Sequence, residues 1–265
     1  MHRVDTMKIK RFWMLVIVLS VGVLSETDQG CLEQERVALL QLKSFFNSPF
    51  FLRDWVGSDC CQWGGVTCSN TSRRLIQLYL DNTRQLQGHG YLNASLFLPF
   101  KELKSLSLVG NGIAGFVHTR GALKKLEILD LTDNQLNDSI LPWLSELSSL
   151  KSLDLTGNGF TGSNHRDELS RLRKLRSLDL SWNSIERFQG KNVKNLEELD
   201  LSGNHLQNSS FAFISGLSNL KSLTIQHNNM QGSIDIKELN KLAKLEEMDL
   251  SYNPIKSLGS IYGTY

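Results

Sequence analysis

The chain has 265 residues, of which 29 are lysine or arginine and 27 are aspartate or glutamate, giving a formal net charge of +2 at pH 7. Residues 1–25 hold four of the basic residues and one of the acidic ones, so the remainder has 25 basic and 26 acidic residues and a net charge of −1. With no basic stripe in that remainder, the composition excludes an electrostatically driven nucleic-acid partner.

The first 25 residues have the organisation of a secretory signal peptide. Basic residues up to Arg11 precede an apolar run from Phe12 to Leu19, which resumes through Leu24. The apolar stretch is about a dozen residues long, whereas a membrane-spanning helix takes roughly 20. We therefore predict a signal peptide over residues 1–25, entry into the secretory pathway, and no membrane helix in the chain apart from this segment.

The segment after the signal, residues 26–72, is predicted to be an N-terminal cap. Apolar residues at helical spacing in residues 32–46, behind the acidic Glu33 and Glu35, indicate a helix. The apolar positions are Val37, Leu39, Leu40, Leu42 and Phe45. Trp55 and Trp63 are expected to add apolar bulk to the same cover.

All four cysteines lie in this cap, and an oxidising compartment predicts that they form disulfides. Cys60 and Cys61 are adjacent and are not expected to bond to each other, which leaves two ways of pairing them with Cys31 and Cys68. A zinc site would need two paired knuckles at a fixed spacing, which these residues do not have. No metal or cofactor is predicted.

Residues 73–265 are dominated by the repeat Leu-x-x-Leu-x-Leu-x-x-Asn. An irregular first unit has Thr83 in place of the asparagine, and seven regular units follow at separations of 21 to 25 residues. Their asparagines are Asn111, Asn134, Asn158, Asn183, Asn204, Asn228 and Asn253. A period this constant is the signature of a solenoid.

The spacing within a repeat predicts its local fold. Leu153 and Leu155 point to one side of a short strand, whereas Ser152 and Asp154 point to the other. Strands that stack in parallel bury leucines that one repeat cannot bury, and they bend the chain into an α/β solenoid with a horseshoe or arc shape. The repeat asparagine, at the turn after the strand, is expected to hydrogen-bond backbone groups of adjacent turns, which is a structural role.

Two motifs are specific enough to indicate a family. The first is Cys31-Leu-Glu-Gln-Glu-Arg-Val-Ala-Leu-Leu-Gln-Leu-Lys, followed by Trp55 and Asp59-Cys60-Cys61-Gln-Trp-Gly-Gly-Val-Thr-Cys68. The second is Leu-Asp-Leu-Ser-Gly-Asn at 199–204, with Gly-Ser-Ile at 232–234. Together they resemble the extracellular leucine-rich-repeat proteins of plants, and among them the receptor-like proteins that lack a kinase. The resemblance implies the disulfides Cys31–Cys60 and Cys61–Cys68.

The resemblance also implies a function. It is that of a non-enzymatic ectodomain that recognises a peptide, a glycan or a microbial protein in defence or developmental signalling, together with a co-receptor kinase. No C-terminal cysteine cap, membrane helix or cytoplasmic tail follows the seventh regular repeat, so the chain is expected to be the N-terminal portion or a truncated form of such a receptor. The alternative is a soluble secreted inhibitor or decoy of a cell-wall hydrolase. The expected location is extracellular, or the plasma membrane if the chain is part of a longer anchored receptor.

Three rings are candidate ligand contacts. The residue before each repeat asparagine is expected on the concave side or its edge, and Trp182, His227 and Tyr252 occupy this position in three of four successive repeats. Exposed aromatic residues of this kind anchor interfaces, although packing on the neighbouring repeat would also explain them.

Two other patterns are interpreted as structural. Aspartates recur at one strand position, as Asp130, Asp154, Asp179, Asp200 and Asp249, and their recurrence with the repeat favours a surface role over a catalytic pair of carboxylates. A Gly-x-Gly-x-x-Gly match at 110–115 includes a repeat asparagine, and no nucleotide site is expected there.

Four asparagines lie in glycosylation sequons and are predicted to carry glycans in a secreted chain. They are Asn70, Asn93, Asn137 and Asn208.

Overall fold

The structure is a computed structural model. It describes residues 31–46, 52–84, 90–117, 120–162, 168–189, 193–207, 214, 216–234 and 239–259. The predicted signal peptide and Asn208 lie outside these ranges. No helix within them is long and apolar enough to cross a membrane.

The described residues form two α-helices and thirteen short strands. The helices are α1 (Glu33–Phe46) and α2 (Leu141–Leu144), and single 3₁₀ turns lie at Cys60–Gln62, Ala94–Phe97, Asp138–Ile140 and Leu169–Arg171. The strands are β1 (Val66–Cys68), β2 (Leu75–Tyr79), β3 (Gly90–Asn93), β4 (Ser105–Ser107), β5 (Ile113–Val117), β6 (Ile128–Asp130), β7 (Ser152–Asp154), β8 (Ser177–Asp179), β9 (Glu198–Asp200), β10 (Ser222–Thr224), β11 (Gly232–Ile234), β12 (Glu247–Asp249) and β13 (Ile255–Leu258).

One sheet of nine strands runs through all the repeats, in the order β1-β2-β4-β6-β7-β8-β9-β10-β12. β1 is antiparallel to β2, and every later neighbour is parallel. Two small parallel sheets, β3-β5 and β11-β13, lie outside it. This is the α/β solenoid of leucine-rich repeats that the spacing predicts, and the fold prediction is confirmed.

The repeat leucines form a continuous core because the strands stack in register. Leu153 pairs with Leu178 and Leu178 with Leu199, and all three are at least 98% buried. In β12 the corresponding residue is Met248, which is 36% exposed because no described strand lies beyond it. Each layer of the core is therefore completed by the next repeat.

The N-terminal cap closes the other end of this core. Helix α1 buries Ala38, Leu39, Leu42 and Phe46, but Val37, which we expected on the buried face, is 41% exposed. The side chain that shares the buried face instead is Glu35, which is 0% exposed. The apolar stripe is thus rotated relative to our prediction, because the helix buries a carboxylate that has partners on the first repeat.

Those partners connect the cap to the sheet. One carboxylate oxygen of Glu35 accepts a hydrogen bond from Arg74 Nε at 2.8 Å, and the other accepts one from the backbone N–H of Leu75 at 3.0 Å. Leu75 begins β2, so a single buried carboxylate fixes α1 to the second strand of the main sheet.

Disulfides and tryptophans hold the rest of the cap. The structure contains the disulfides Cys31–Cys60 and Cys61–Cys68, the pairs that the resemblance implies. Trp55 and Trp63 are buried and stack with ring centroids 5.4 Å apart. Each indole N–H donates to a backbone carbonyl, so the rings fill the cap without an unpaired polar group.

The repeat asparagines occupy equivalent positions at the turn after each strand. Asn158 is representative: its Nδ2 donates to the carbonyls of Leu131, Leu155 and Thr156 at 3.0 to 3.1 Å, and its Oδ1 accepts the N–H of Leu136 at 3.0 Å. The same arrangement recurs at Asn134, Asn183, Asn204, Asn228 and Asn253. One side chain satisfies backbone groups from two successive repeats.

Candidate ligand-binding face

The three candidate rings lie side by side at the edge of the concave sheet. The centroids of His227 and Tyr252 are 4.1 Å apart with planes 7° from parallel, and those of Trp182 and His227 are 6.0 Å apart at 33°. We call Trp182, His227 and Tyr252 the aromatic ladder. The structure brings together all three residues that the sequence singled out.

Trp182 reaches His227 because the residue at the same position in the repeat between them is a glycine, Gly203. Trp182 and His227 are two strands apart, about 10 Å at the usual strand spacing, yet their centroids are 6.0 Å apart. The indole leans across Gly203, where an added Cβ would come within 2.8 Å of ring atoms. Gly203 thus lets the tryptophan span a repeat.

This leaning follows an alternation along the chain. A side chain lies over the glycine of the next repeat three times: Asn82 over Gly110, Asp133 over Gly157, and Trp182 over Gly203. After His227 no glycine follows, and Tyr252 stacks on the imidazole instead. The sequence shows that residues with a side chain alternate with glycines at this position, but not that each side chain lies over the following glycine.

The residues just before the repeat asparagines and Thr83 form a row with left-handed backbone geometry, with φ between 50° and 66°. They are Asn82, Gly110, Asp133, Gly157, Trp182, Gly203, His227 and Tyr252. Glycine adopts it freely, whereas a residue with a side chain pays about 1–2 kcal/mol. Trp182, His227 and Tyr252 therefore occupy positions where folding alone favours glycine. Strain of this kind clusters at ligand-binding sites.

The rings are packed on each other and are still open to solvent. Trp182 is 61% exposed and Tyr252 is 73% exposed. The two interpretations that we weighed, ligand contact and packing on a neighbouring repeat, thus describe the same rings, because packing holds them in place without covering them.

The main sheet carries a row of carboxylates, Asp130, Asp154, Asp179 and Asp200, which we call the aspartate column. They pair with one another across β6, β7, β8 and β9, and all are half-buried. Each accepts a hydrogen bond at 2.7 to 3.0 Å from the backbone N–H two residues later. Every member thus makes the same local hydrogen bond, as expected of a residue that recurs with the repeat.

Two carboxylates of the aspartate column have raised pKa values. Burial raises the pKa of Asp130 and Asp200, and the neighbouring carboxylates add to both shifts. Asp249 sits at the same repeat position but beyond Thr224, and hydrogen bonds from Ser251 lower its pKa. The same residue type therefore has opposite pKa shifts at two places on one face.

We expect the double variant Asp130→Asn, Asp200→Asn to raise the Tm at pH 7 by on the order of 2 °C. The amide keeps an oxygen for the backbone N–H and removes a charge that is costly to bury. A raised carboxyl pKa means that the wild type gains stability as pH falls through that pKa, so the difference should shrink with acidification. Thermal unfolding at several pH values measures this.

Asp249→Asn is the matched control for that experiment. A lowered pKa contributes stability at neutral pH, so its loss should lower the Tm at pH 7, the opposite sign. Equal shifts in both variants would contradict our account of the aspartate column.

Other predicted sites lie away from the ladder. Asn70, Asn93 and Asn137 are exposed and available to a glycan, and Asn208 lies outside the described residues. The Gly-x-Gly-x-x-Gly segment leads into strand β5 rather than into a helix. Within the described ranges, no three histidine, cysteine, aspartate or glutamate residues are arranged to hold a metal ion.

Family comparisons match both parts of the chain. Residues 32–69 match the leucine rich repeat N-terminal domain. Leucine rich repeat families match residues 125–147, 146–163, 171–186 and 194–255.

Two curated relatives and one solved structure are also similar to this chain. Receptor-like protein 9a of Arabidopsis thaliana is 40% identical over 67% of this chain and 20% of its own length. Cuscuta receptor 1 of Solanum lycopersicum is 33% identical over 88% of this chain and 23% of its own length. The crystal structure of the Arabidopsis receptor kinase HAESA with the peptide hormone IDA and the co-receptor SERK1 has a TM-score of 0.62 at 25% identity, covering 84% of this chain and 42% of that one. The chain spans about a fifth of the length of the curated relatives it matches.

Proposed function

Because the chain belongs to the plant leucine-rich-repeat receptor-like proteins, we propose that it is an extracellular recognition module whose concave face binds a ligand and whose output depends on other chains. The ligand is a peptide, a glycan or a microbial protein, and the context is defence or developmental signalling. The protein is exported through the secretory pathway, and it acts outside the cell or at the plasma membrane.

The observation that carries this proposal is the aromatic ladder. Three rings occupy left-handed positions that folding alone would give to glycine, and two of them are more than 60% exposed. Exposed aromatic side chains at a concave surface are typical anchors of interfaces, and this supports ligand binding as the reason for the choice of residues. The aromatic ladder is therefore the centre of the proposed site.

A solved structure with the same fold supports a peptide ligand and a co-receptor. HAESA has been crystallised with a peptide hormone and a co-receptor. We propose that this chain likewise works with a co-receptor kinase.

We also propose that the chain has no enzymatic activity. The carboxylates of the concave face recur with the repeat, and each column member makes the same backbone hydrogen bond. The opposite pKa shifts of Asp200 and Asp249 have structural causes, burial at the first and hydrogen bonds from Ser251 at the second, and this supports a structural and surface role for these carboxylates.

The proposal can be tested with a variant that keeps the fold and removes the ladder. In Trp182→Gly, Tyr252→Gly, both changes introduce the residue that the same row has at Gly157 and Gly203, and they relieve left-handed strain, so the Tm should be unchanged or higher. Fractions of extracellular plant fluid are then screened for those that raise the Tm of the wild-type protein, since a ligand stabilises the state that it binds.

We expect at least one fraction to stabilise the wild type and to leave the double variant unaffected. Tyr91→Gly, which removes a 66% exposed ring from β3 outside the concave sheet, is the matched control and should respond like the wild type. The proposal is wrong if the active fractions stabilise the ladder variant equally, or if none stabilises the wild type.

A further inference from the structure

We propose that the aromatic ladder and the adjacent carboxylates Asp179, Asp200 and Asp249 bind an arginine side chain of a peptide ligand. This inference rests on the proposed function and names the chemistry of the ligand. It comes from two independent features of one surface, namely the exposed ring faces and the uncompensated negative charge beside them.

The rings supply the first half of such a site. The face of an aromatic ring carries negative electrostatic potential and attracts a cation, most strongly in tryptophan. Trp182 stands at one end of the ladder and Tyr252 at the other, and both are largely exposed. A planar guanidinium can stack on such a face, which a compact ammonium group does less well.

The carboxylates supply the second half. Asp179 and Asp200 are neighbours on β8 and β9, and the charge of Asp179 contributes to the raised pKa of Asp200. The ion pairs between described residues use other carboxylates, among them Glu102, Glu127 and Glu197. A cation that bound between Asp179 and Asp200 would remove their repulsion, and this complementarity of charge selects a basic ligand over a neutral one.

The two halves are within reach of one side chain. Asp179 precedes Trp182 by three residues and Asp249 precedes Tyr252 by three, so their Cα atoms are at most about 10 Å apart. Asp249 is also close enough to His227 for the imidazole to lower its pKa. Guanidinium donors form a fixed fork that matches a carboxylate, so arginine can use the rings and the column together.

The same surface could stack neutral sugar rings, and the test separates the two chemistries. Isothermal titration calorimetry at physiological salt compares hexa-arginine with hexa-citrulline, which has the same shape without the charge, and with cellohexaose and chitohexaose. The inference predicts binding of hexa-arginine and at least tenfold weaker binding of hexa-citrulline and of both sugars.

Variants show where the peptide binds. Trp182→Gly leaves the net charge unchanged and should weaken hexa-arginine binding about fivefold, the usual worth of one cation–π contact. Asp179→Asn, Asp200→Asn keeps the oxygens that accept the N–H groups of Ser181 and Ser202 and should weaken it similarly. The charge-matched control Glu102→Gln, Glu127→Gln, away from this face, should bind within twofold of the wild type.

Three outcomes overturn the inference. Equal weakening in the Glu102 and Glu127 control would show attraction to net charge alone. Binding that is indifferent to Trp182→Gly would exclude the rings. Ladder-dependent binding of cellohexaose or chitohexaose without hexa-arginine binding would replace the basic ligand by a glycan. In that last case the proposed function stands, whereas both proposals fall only if the fraction screen fails as well.

Discussion

Replacing Glu35 by alanine is expected to lower the free energy of unfolding by about 3–5 kcal/mol, the cost of removing one partner from a buried ion pair. The substitution would leave the guanidinium of Arg74, whose side chain is 23% exposed, without its carboxylate, and the backbone N–H of Leu75 without an acceptor. Because these groups join α1 to β2, the loss of stability should be greatest at the contact between the cap and the first repeat.

Chemical denaturation measures the loss, and hydrogen exchange locates it at the amide of Leu75. Glu35→Gln retains an oxygen for this N–H but not the charge for Arg74, so it should lie between the wild type and the alanine variant. Glu33→Ala is the matched control on the same helix, since Glu33 pairs with Arg36 at the surface. Exposed ion pairs contribute little to stability, so a comparable loss in both alanine variants would contradict the structural role of Glu35.

Replacing the repeat asparagine Asn158 by leucine is expected to cost about 3–5 kcal/mol. The change leaves the backbone N–H of Leu136 without its acceptor. It also removes one hydrogen bond from each of the carbonyls of Leu131, Leu155 and Thr156, which keep those from Asn134 Nδ2, Asn183 Nδ2 and the N–H of Asp133. An unpaired buried N–H costs on the order of 1–3 kcal/mol and each lost hydrogen bond about 0.5–1.5 kcal/mol, and partial access to water at this position lowers the sum. Thermal and urea unfolding measure the effect, and an unchanged Tm would show that the amide is not structural.

The chain offers a natural intermediate for this experiment. Thr83 occupies the asparagine position of the irregular first unit, where its hydroxyl donates to the carbonyl of Leu80 at 2.8 Å. Asn158→Thr should therefore retain part of the stability that Asn158→Leu loses. Asn229→Leu changes an exposed asparagine next to Asn228 and should alter stability by less than about 0.5 kcal/mol.

Much of the fold was predictable because it depends on a repeated local rule. Leucines alternate with polar residues along a strand, as at Leu153, Asp154 and Leu155, and similar alternation recurs in the seven regular repeats. Parallel stacking of these strands in a solenoid buries the leucines of every repeat. The donors and acceptors of the asparagine amide likewise indicated its place at the turn.

The details that escaped prediction depend on contacts between distant residues. The sequence pattern indicates only that Glu35 is a favourable charge at a helix N-terminus. Nothing near it in the sequence indicates that it is buried with a hydrogen bond from Arg74, 39 residues later. In the candidate site, residue type and repeat position were enough to select Trp182, His227 and Tyr252. Their stacking was not predictable, because it requires the indole to cross Gly203.

The row of left-handed residues has a consequence for how such a surface can change. Backbone and core repeat with every unit, but the pattern of a side chain followed by a glycine repeats with every second unit. Loss or duplication of a single repeat would preserve the solenoid and yet bring two side chains, or two glycines, into contact. Variation by pairs of repeats conserves the surface, whereas variation by single repeats creates a new one, as the stacked rings of His227 and Tyr252 illustrate at the one place where the pairing is broken.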